Sequence, residues 1–396
     1  MSLQTVKETL VRVAAASSPD VEDLTYLLAR ESEAEVQPIL DAADRTRRQF
    51  MGNGILLRGI VEFSSFCRNT CFYCGLHAGN TRITRYRMNA EEILESVARI
   101  SSQGVQTVVL QSGEDDGLDP GWLAQVVRDV KKRFGIAVTL SVGERPREDY
   151  ALWRDAGADR YLLKIESSDA DLYESLHAGR RLETRLRCIS DLTMLGYQVG
   201  CGIMVGLPGQ SLRHIAGDIL FFAESRFDMI GIGPFIPHPE TKLRGLPPGG
   251  VPLTLRTVAL TRIVTKDAHL PATTALGSMG RDYRLDGLRA GANVLMPNFT
   301  PVEYKKLYEI YPGKRCVSEP TGACALCMEG LAEGIGRTID YSRGDSLVTQ
   351  AGPPERSQEN CRPSGARDQP QFDPTVGKCI LSEEVPWNIA VLGARG

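Results

Sequence analysis

The sequence predicts an α/β fold, a parallel (β/α)8 TIM barrel with N-terminal helices and a C-terminal extension. From residue 54 onward, short apolar runs rich in β-branched residues alternate with longer amphipathic segments. Eight such pairs follow one another at roughly 30 residues per unit, which matches a (β/α)8 barrel in count and size. A cysteine cluster follows the first predicted strand, where a doubly wound open sheet more often has a glycine fingerprint.

The individual elements follow from local patterns. Residues 1–53 have apolar positions at helical spacing, and Ser18-Pro19-Asp20 separates two predicted helices. The predicted strands occupy residues 55–62, 106–111, 136–142, 160–166, 199–205, 229–236, 271–276 and 292–297. The predicted helices between them occupy residues 90–103, 119–134, 147–156, 183–195, 212–225, 254–265 and 281–290.

The chain divides into four predicted regions. These are an N-terminal helical segment (1–53), the barrel (54–300), a segment with a second cysteine group (301–345) and a loosely ordered tail (346–396). Within the tail, residues 351–376 are rich in Pro, Gly, Ser and charged residues. Such a composition offers little apolar surface to bury, which is why we expect loose order there.

Composition and charge limit the partners. A formal net charge of −3 gives no electrostatic argument for a nucleic-acid partner. No apolar run approaches the roughly 20 residues of a membrane helix, and the N-terminal residues lack the apolar core of a signal peptide. The sequence therefore predicts a cytoplasmic protein. In such a protein, clustered cysteines more often bind metal or do chemistry than form disulfides.

The first cysteine group, Cys67, Cys71 and Cys74, has the spacing C-x3-C-x2-C directly after the first predicted strand. In a parallel barrel that loop opens at the C-terminal mouth, where active sites are built. Three thiolates can ligate three irons of a 4Fe–4S cubane and leave the fourth iron open. A structural zinc site normally needs four protein ligands, and His77 is the only local candidate for the fourth.

With Tyr73 before the last cysteine, this motif resembles the signature of the radical S-adenosylmethionine (SAM) superfamily. Later positions resemble the superfamily as well. Ser112, Gly113 and Glu114 follow the second strand, where the superfamily has a GGE-like motif for the SAM amino group. Ser112 departs from the first glycine of that motif. The resemblance implies a 4Fe–4S cluster and SAM as cofactors, and reductive cleavage of SAM to a 5′-deoxyadenosyl radical.

Further positions carry the same resemblance. Glu166, at the end of the fourth strand, stands where a carboxylate contacts the ribose, and Arg185 would suit the methionine carboxylate. Met204, in the Gly202–Gly206 stretch, and Ile232, in the sixth strand, stand beside the adenine position. Each position also has a simpler interpretation. The glycines are common turn residues, Glu166 could belong to an ion pair, and Arg185 could be a charge on a helix surface. Their order around one barrel favours the SAM interpretation.

At family level, the chain resembles the FeFe-hydrogenase maturase HydE. The segments that carry this resemblance are CRNTCFYCGLHAGNTRITRYRM, VLQSGED, GADRYLL, GLPGQ, FDMIGIGPFIPHPET, PATTALG, GANVLMPN and YEIYPGKRCV. One departure is Lys164-Ile165-Glu166, where some relatives have Arg-His-Glu. The resemblance implies a role in assembling the hydrogenase H-cluster, with a cysteine-bound Fe(CO)2CN complex as the substrate. It also implies transient contact with other hydrogenase maturases and an electron donor.

Polar side chains near the strand ends are candidates for contact with this small-molecule or organometallic substrate. They are Gln111, Thr139, Thr273 and Thr274, together with Tyr311 beside Pro312-Gly313. Arg58 lies inside the first predicted strand, amid ILLRGIVEF. It is expected either to bind an anionic ligand within the barrel or to pair with Glu62.

A second cysteine group, Cys316-x7-Cys324-x2-Cys327, matches the spacing of an auxiliary iron–sulfur site found in some HydE family members. As a pattern alone, it fits iron–sulfur, zinc or an unoccupied site equally. We expect a second cluster there, without a catalytic role.

Two other radical SAM activities remain as alternatives, a methylornithine synthase and a biotin synthase-like enzyme. A methylornithine synthase is not expected to carry the second cysteine group. A biotin synthase-like enzyme needs a second cluster inside the barrel, where this chain offers only Cys188 and Cys201. An iron–sulfur scaffold protein would need the cysteines without the SAM positions.

Overall fold

The computed structural model describes residues 3–315, 317 and 323–350, without the side chains of residues 323–327, 349 and 350. Three helices cover the N-terminal segment: α1 (Leu3–Ala15), α2 (Val21–Leu28) and α3 (Glu33–Met51). The break predicted at Ser18-Pro19-Asp20 lies between α1 and α2, where the Asp20 side chain accepts a hydrogen bond from the Glu22 amide. Asp at this N-cap position satisfies an amide that the helix itself leaves unpaired.

Parallel strands form most of the barrel wall. They are β2 (Gly59–Ser64), β3 (Thr107–Ser112), β4 (Ala137–Ser141), β5 (Arg160–Leu162), β6 (Gln198–Val205) and β7 (Met229–Pro234). These strands pair in chain order as a six-stranded sheet, as expected for consecutive β/α units. A separate β1 (Gly54–Leu57) precedes β2, because the predicted strand 55–62 is interrupted at Arg58.

Short pairings close the barrel between β7 and β2. Met229 pairs with His269, Pro271 pairs with Val294, and Asn298 pairs with Ile60. The segment around residue 270 and the segment that contains β8 (Val294–Leu295) therefore occupy the seventh and eighth positions of the barrel. The predicted strand 271–276 is wrong beyond Pro271, because Thr273 caps a short helix there.

Helices cover the outside of the sheet and the connections. They are α4 (Ala90–Ser102), α5 (Pro120–Phe134), α6 (Arg147–Asp155), α7 (Ala170–Leu176), α8 (Leu182–Met194), α9 (Leu212–Ser225), α10 (Val251–Thr265), α11 (Thr274–Gly277), α12 (Arg284–Arg289), α13 (Val302–Lys305), α14 (Ala323–Glu333) and α15 (Leu347–Gln350). Each outer helix buries one apolar face, whereas α10 is buried nearly all round because α3 packs against it. None of the helices that the structure describes combines the length and apolarity needed to cross a bilayer.

The segment after β9 (Thr338–Asp340) covers the N-terminal end of the barrel. β9 pairs with β1, and the chain then runs beneath the strands. Arg160, at the start of β5, donates hydrogen bonds to the Arg343 and Gly344 carbonyls and to Asp345 Oδ1. Access to the barrel interior is therefore directed to the opposite end, where the carboxyl ends of the strands open.

Candidate active site at the carboxyl ends of the strands

The first cysteine group lies on the loop that follows β2, at the C-terminal mouth. Cys67, Cys71 and Cys74 are all partly exposed. The guanidinium of Arg85 holds the loop from within, because it donates hydrogen bonds to the carbonyls of Ser65, Leu76 and His77. The structure thus places the three thiols where the sequence predicts them.

The three thiols are electrostatically coupled to one another. Burial raises the pKa of each thiol, that of Cys71 to about 12, and Cys67 and Cys71 each raise the pKa of Cys74 further. The thiols are therefore close enough to repel one another as thiolates. A bound metal centre would offset this repulsion, since it takes the three groups as thiolates.

A mononuclear zinc site does not fit this loop. Among the side chains that the structure describes, no group of three His, Cys, Asp or Glu residues is arranged to hold a single metal ion. His77, the candidate fourth ligand, is engaged elsewhere, since its Nε2 lies 2.9 Å from the Glu240 carbonyl oxygen. A cluster needs no fourth protein ligand here, because each of the three thiolates would ligate a different iron.

Gly113 sets how closely the predicted SAM loop approaches the cysteine loop. A Cβ at Gly113 would lie 2.7 Å from Cys67 Cβ and 2.3 Å from the Phe66 carbonyl oxygen, so no larger residue fits. The Gly113 amide donates to the Ser64 carbonyl, and the Ser112 hydroxyl donates to the Gly113 carbonyl. The predicted GGE-like segment is therefore packed directly against the first cysteine.

Glu114 and Arg185 contact each other. Arg185 donates to Glu114 Oε1 and to Glu144 Oε1, both at 2.8 Å, and to the Lys164 carbonyl. All three charged side chains are buried, and Arg68 supplies a second, more exposed cation to Glu114. Glu114 and Arg185, which the sequence predicts to contact the SAM amino and carboxylate groups, thus belong to one charged network. Glu144 also belongs to it and was not predicted from the sequence.

Tyr73 is fixed by an aromatic cluster. His177 Nδ1 lies 2.7 Å from the Tyr173 carbonyl oxygen, which can only accept, so Nδ1 carries the proton. His177 Nε2 then accepts from the Tyr73 hydroxyl at 2.7 Å. Burial lowers the pKa of His177 to about 4, which keeps the ring neutral. The His177 ring stacks on Tyr173, and the His177 backbone forms an antiparallel bridge with Cys71. Nothing in the sequence alone indicated His177.

Glu166 has an unusual backbone conformation. Its φ is +63°, in the left-handed region of backbone conformation that residues other than glycine rarely adopt. Lys164 Nζ lies 3.0 Å from Glu166 Oε2, an ion-pair contact that lacks hydrogen-bond geometry. The lysine that departs from the family pattern therefore sits beside the predicted ribose carboxylate.

Met204 and Ile232 line the same end of the barrel. Met204 packs in a small apolar cluster with Tyr73, Leu172 and Phe235. Ile232 is buried in β7, and its carbonyl accepts a hydrogen bond from the Thr273 hydroxyl at 3.3 Å. The predicted adenine neighbours therefore flank Tyr73 on one side and the predicted substrate residues on the other.

The predicted substrate residues separate into two groups. Thr273 and Thr274 begin α11 beside the end of β7. Gln111 Nε2 donates to the Tyr308 hydroxyl at 3.2 Å, and burial raises the pKa of Tyr311, which faces Ser278 and Glu62. These four residues lie at the mouth.

Arg58 and Thr139 form the second group, at the other end of the barrel. They line a small cavity with Arg160, Asp228 and Met229. β2 separates Arg58 from the cysteine loop, which corresponds to roughly 16 Å of strand.

The expected pairing of Arg58 with Glu62 is wrong. Glu62 instead pairs with Lys314, in a contact buried on both sides. Asn298 donates to the other carboxylate oxygen of Glu62 at 2.9 Å. Arg58 lies before β2 and faces the N-terminal cavity, and four residues of extended chain, roughly 13 Å, separate it from Glu62. Lys314, which anchors the mouth segment 305–315 to β2, was not recognised from the sequence.

The second cysteine group lies largely outside what the structure describes. Cys316 is outside the described residues, as is the tail from residue 351. Cys324 and Cys327 belong to α14, but their side chains are not described. The second cluster therefore stays a prediction.

Comparison with known proteins agrees with the site. The profile of the radical SAM superfamily matches residues 61–222. The [FeFe] hydrogenase maturase subunit HydE of Thermotoga maritima is 48% identical over 302 residues, which cover 76% of this chain and 86% of that protein. The 3-methylornithine synthase of Methanosarcina acetivorans is 28% identical over 276 residues, 69% of this chain and 78% of that protein.

Solved structures share the fold. The crystal structure of methylornithine synthase (PylB) superposes with a TM-score of 0.72 at 24% identity and covers 84% of this chain and 97% of its own. The structure of HydG, a maturase of the [FeFe]-hydrogenase, superposes with a TM-score of 0.73 at 17% identity, covering 86% and 77%. At these identities the superpositions establish the barrel fold.

Proposed function

The chain belongs to the radical SAM superfamily and, within it, to the HydE family, and on that basis we propose that it cleaves SAM reductively during assembly of the FeFe-hydrogenase H-cluster. The observation that carries the proposal is the 48% identity to a HydE over most of both chains. The loop of three thiols at the barrel mouth supports it independently.

In this proposal Cys67, Cys71 and Cys74 hold a 4Fe–4S cluster through their thiolates. When bound, the cluster and SAM supply a 5′-deoxyadenosyl radical, a primary carbon radical that reacts with nearly any neighbour. The chain's own contribution is to bind, orient and exclude water. The segment that covers the N-terminal end of the barrel helps to exclude water, because the chamber then opens at one end only.

Charged residues at the mouth orient the SAM amino acid group. The buried Glu114 carboxylate attracts the ammonium group, and the Arg185 guanidinium attracts the carboxylate. Since Arg185 is held by Glu144 as well as by Glu114, it keeps one partner when a ligand competes for the other. Glu166 contacts the ribose, and Tyr73, Met204 and Ile232 lie beside the adenine.

The proposed substrate is the cysteine-bound Fe(CO)2CN complex, with sulfur as the atom attacked. A C5′–S bond would form as one existing bond of that sulfur breaks, and the fragment released would carry the unpaired electron. Gln111, Thr273, Thr274 and Tyr311 are the polar groups at the mouth that face it. Other hydrogenase maturases would deliver the substrate and receive the product, and an external donor would reduce the cluster. The second cysteine group is proposed to hold an auxiliary iron–sulfur cluster.

Product analysis tests the target atom. If C5′ becomes bonded to sulfur, methionine forms in excess of free 5′-deoxyadenosine, and the difference appears as an adenosylated sulfur product. We would add the synthetic cysteine-bound complex to reduced, cluster-loaded protein and quantify all three species by mass spectrometry. Equal amounts of methionine and 5′-deoxyadenosine, with no sulfur adduct, would contradict the proposal.

The mouth threonines provide a matched test of the substrate site. We expect Thr273→Ala with Thr274→Ala to reduce formation of the sulfur adduct at least tenfold. Thr193→Ala, on the exposed surface of α8, is the control and should leave it unchanged. Full turnover by the double variant would show that Thr273 and Thr274 are not part of the substrate site.

Methylornithine synthesis is the second candidate function, favoured by the 28% identity to the Methanosarcina enzyme. The two functions differ in substrate, because that enzyme's product is a rearranged amino acid. Conversion of lysine to methylornithine by the loaded protein would establish this alternative in place of the maturase role.

A further inference from the structure

Helix α9 buries a single carboxylate on its apolar face. Ile215, Ile219 and Phe222 lie on that face, and Asp218 lies among them with no solvent exposure. Burial raises the pKa of Asp218 to about 7. A carboxylate at such a position is unfavourable unless hydrogen bonds compensate for its lost hydration.

The hydrogen bonds to Asp218 come from one short segment. Its Oδ1 accepts from the Ser168 amide at 2.6 Å, from the Ser168 hydroxyl at 2.6 Å and from the Ser167 hydroxyl at 3.4 Å. Asp218 Oδ2 has no hydrogen-bond partner among the described residues. One carboxylate oxygen therefore gathers three donors from two consecutive residues.

Those two residues follow Glu166, the residue with φ of +63°. A left-handed conformation costs a non-glycine residue about 1–2 kcal/mol, so neighbouring contacts must enforce it. On the barrel side, the Glu166 amide donates to the Gly202 carbonyl, and the Met204 amide donates to the Glu166 carbonyl. On the outer side, the contacts that hold the segment are those of Ser167 and Ser168 to Asp218.

We propose that Asp218 is a positioning residue for SAM: by fixing Ser167 and Ser168 it keeps Glu166 in the conformation that aims its carboxylate at the ribose. The inference rests on the proposed function, because the ribose contact of Glu166 belongs to it. Asp218 lies behind the turn and acts through it without touching the ligand.

The test measures ribose recognition separately from activity. Full-length, cluster-reconstituted protein is titrated anaerobically with S-adenosylhomocysteine and with its 2′,3′-dideoxy analogue, and the ratio of the two Kd values is determined by calorimetry. A hydrogen bond between a charged carboxylate and the sugar hydroxyls should give the wild type a preference of about tenfold or more for the hydroxylated ligand.

Three variants separate positioning from general stability. We expect Asp218→Ala and Glu166→Ala each to reduce the preference to less than threefold. Asp218→Asn retains an acceptor for Ser168 and should keep most of the preference. Asp171→Ala, on the exposed surface of α7, is the matched control and should behave as wild type. If Asp218→Ala does not fold, Ser168→Ala removes one of the three donors and should lower the preference severalfold.

The outcomes distinguish the inference from the function on which it rests. An unchanged preference in a folded Asp218→Ala or Ser168→Ala variant would overturn the positioning role and leave the proposed function intact. Equal affinity of the wild type for both ligands would show that Glu166 does not contact the ribose hydroxyls. The proposed role of Glu166 and this inference would then both be wrong.

Discussion

Arg185 donates a 2.8 Å hydrogen bond from Nη2 to Oε1 of Glu114, a residue 71 positions earlier in the chain. The same guanidinium bonds Glu144 at 2.8 Å, so two buried carboxylates share one cation, and Arg68 adds a second cation beside Glu114. These residues follow β3 and β4 or lie on α8, and the barrel brings them to the same end as the cysteine loop. The predicted SAM site is therefore also a centre of buried charge.

Replacement of Arg185 should destabilise the protein strongly. In Arg185→Met, Glu114 and Glu144 both lose a buried counter-charge, and breaking a buried ion pair costs about 3–5 kcal/mol. Urea unfolding of the iron-free protein measures the change. Arg147→Met is the control: Arg147 pairs with Asp191 at the same 2.8 Å, but its side chain is 43% exposed, so the loss should stay below about 1 kcal/mol. Equal losses in the two variants would contradict a buried network.

The pair of Lys314 and Glu62 should show coupling in a double-mutant cycle. Lys314→Met leaves the buried Glu62 carboxylate without its cation and should lower the free energy of unfolding by about 3–5 kcal/mol. Adding Glu62→Gln should recover part of that loss, since the neutral side chain needs no counter-charge. Lys132→Met, at an exposed position on α5, should change little. Additive effects of the two substitutions would show that the residues do not interact.

Gly143 should tolerate alanine much less well than Gly135. Both have left-handed backbones, with φ of +79° and +66°, so alanine costs about 1–2 kcal/mol at either position for conformation alone. At Gly143, however, a Cβ would lie 1.8 Å from Glu114 Cγ, whereas Gly135 has no atom within 4 Å.

Overpacking should therefore add a further 1–3 kcal/mol at Gly143, measured by urea unfolding. Gly143→Ala should also weaken SAM binding, because the Glu114 side chain must move. Similar losses at both glycines would mean that Glu114 does not occupy the position described.

Asp218 should make stability depend on pH. Its pKa is about 7 in the folded protein, against an ordinary value near 4. The folded state therefore holds the proton more tightly, and this stabilisation is fully present below about pH 4 and lost as the pH rises through about 7.

The difference in unfolding free energy between wild type and Asp218→Asn should thus fall by about 1 kcal/mol per pH unit between pH 5 and 7. Urea unfolding of the iron-free protein at several pH values measures it. The exposed Asp171→Asn variant should show no such trend. A pH-independent difference for Asp218→Asn would mean that its carboxyl titrates normally.

Sequence periodicity was sufficient for the barrel but not for its last strands. Alternation of apolar runs and amphipathic segments predicts the positions of β2 to β7, although β5 ends at Leu162 and not at residue 166 as predicted. The run PATTAL is too short for a period to separate strand from helix. There, the Thr273 hydroxyl at an N-cap position decides the outcome and starts α11.

Residue roles that depend on distant segments could not be predicted. Arg58 faces the N-terminal cavity, and its guanidinium meets the Gly344 carbonyl across 286 positions of sequence. Glu144 pairs with Arg185 only because neighbouring strands bring them together. Asp218 did carry a local signal, since an acidic residue on the apolar face of a predicted helix needs a buried partner.

The most direct test of the central claim is SAM cleavage. Anaerobically reconstituted, dithionite-reduced protein is incubated with SAM, and 5′-deoxyadenosine and methionine are quantified for the wild type, Cys71→Ala and Cys188→Ala. We predict cleavage by the wild type and by Cys188→Ala, which removes a buried cysteine of α8 that is not among the three loop cysteines. We predict none by Cys71→Ala. Absence of cleavage by a fully loaded wild type, or undiminished cleavage by Cys71→Ala, would contradict the central claim.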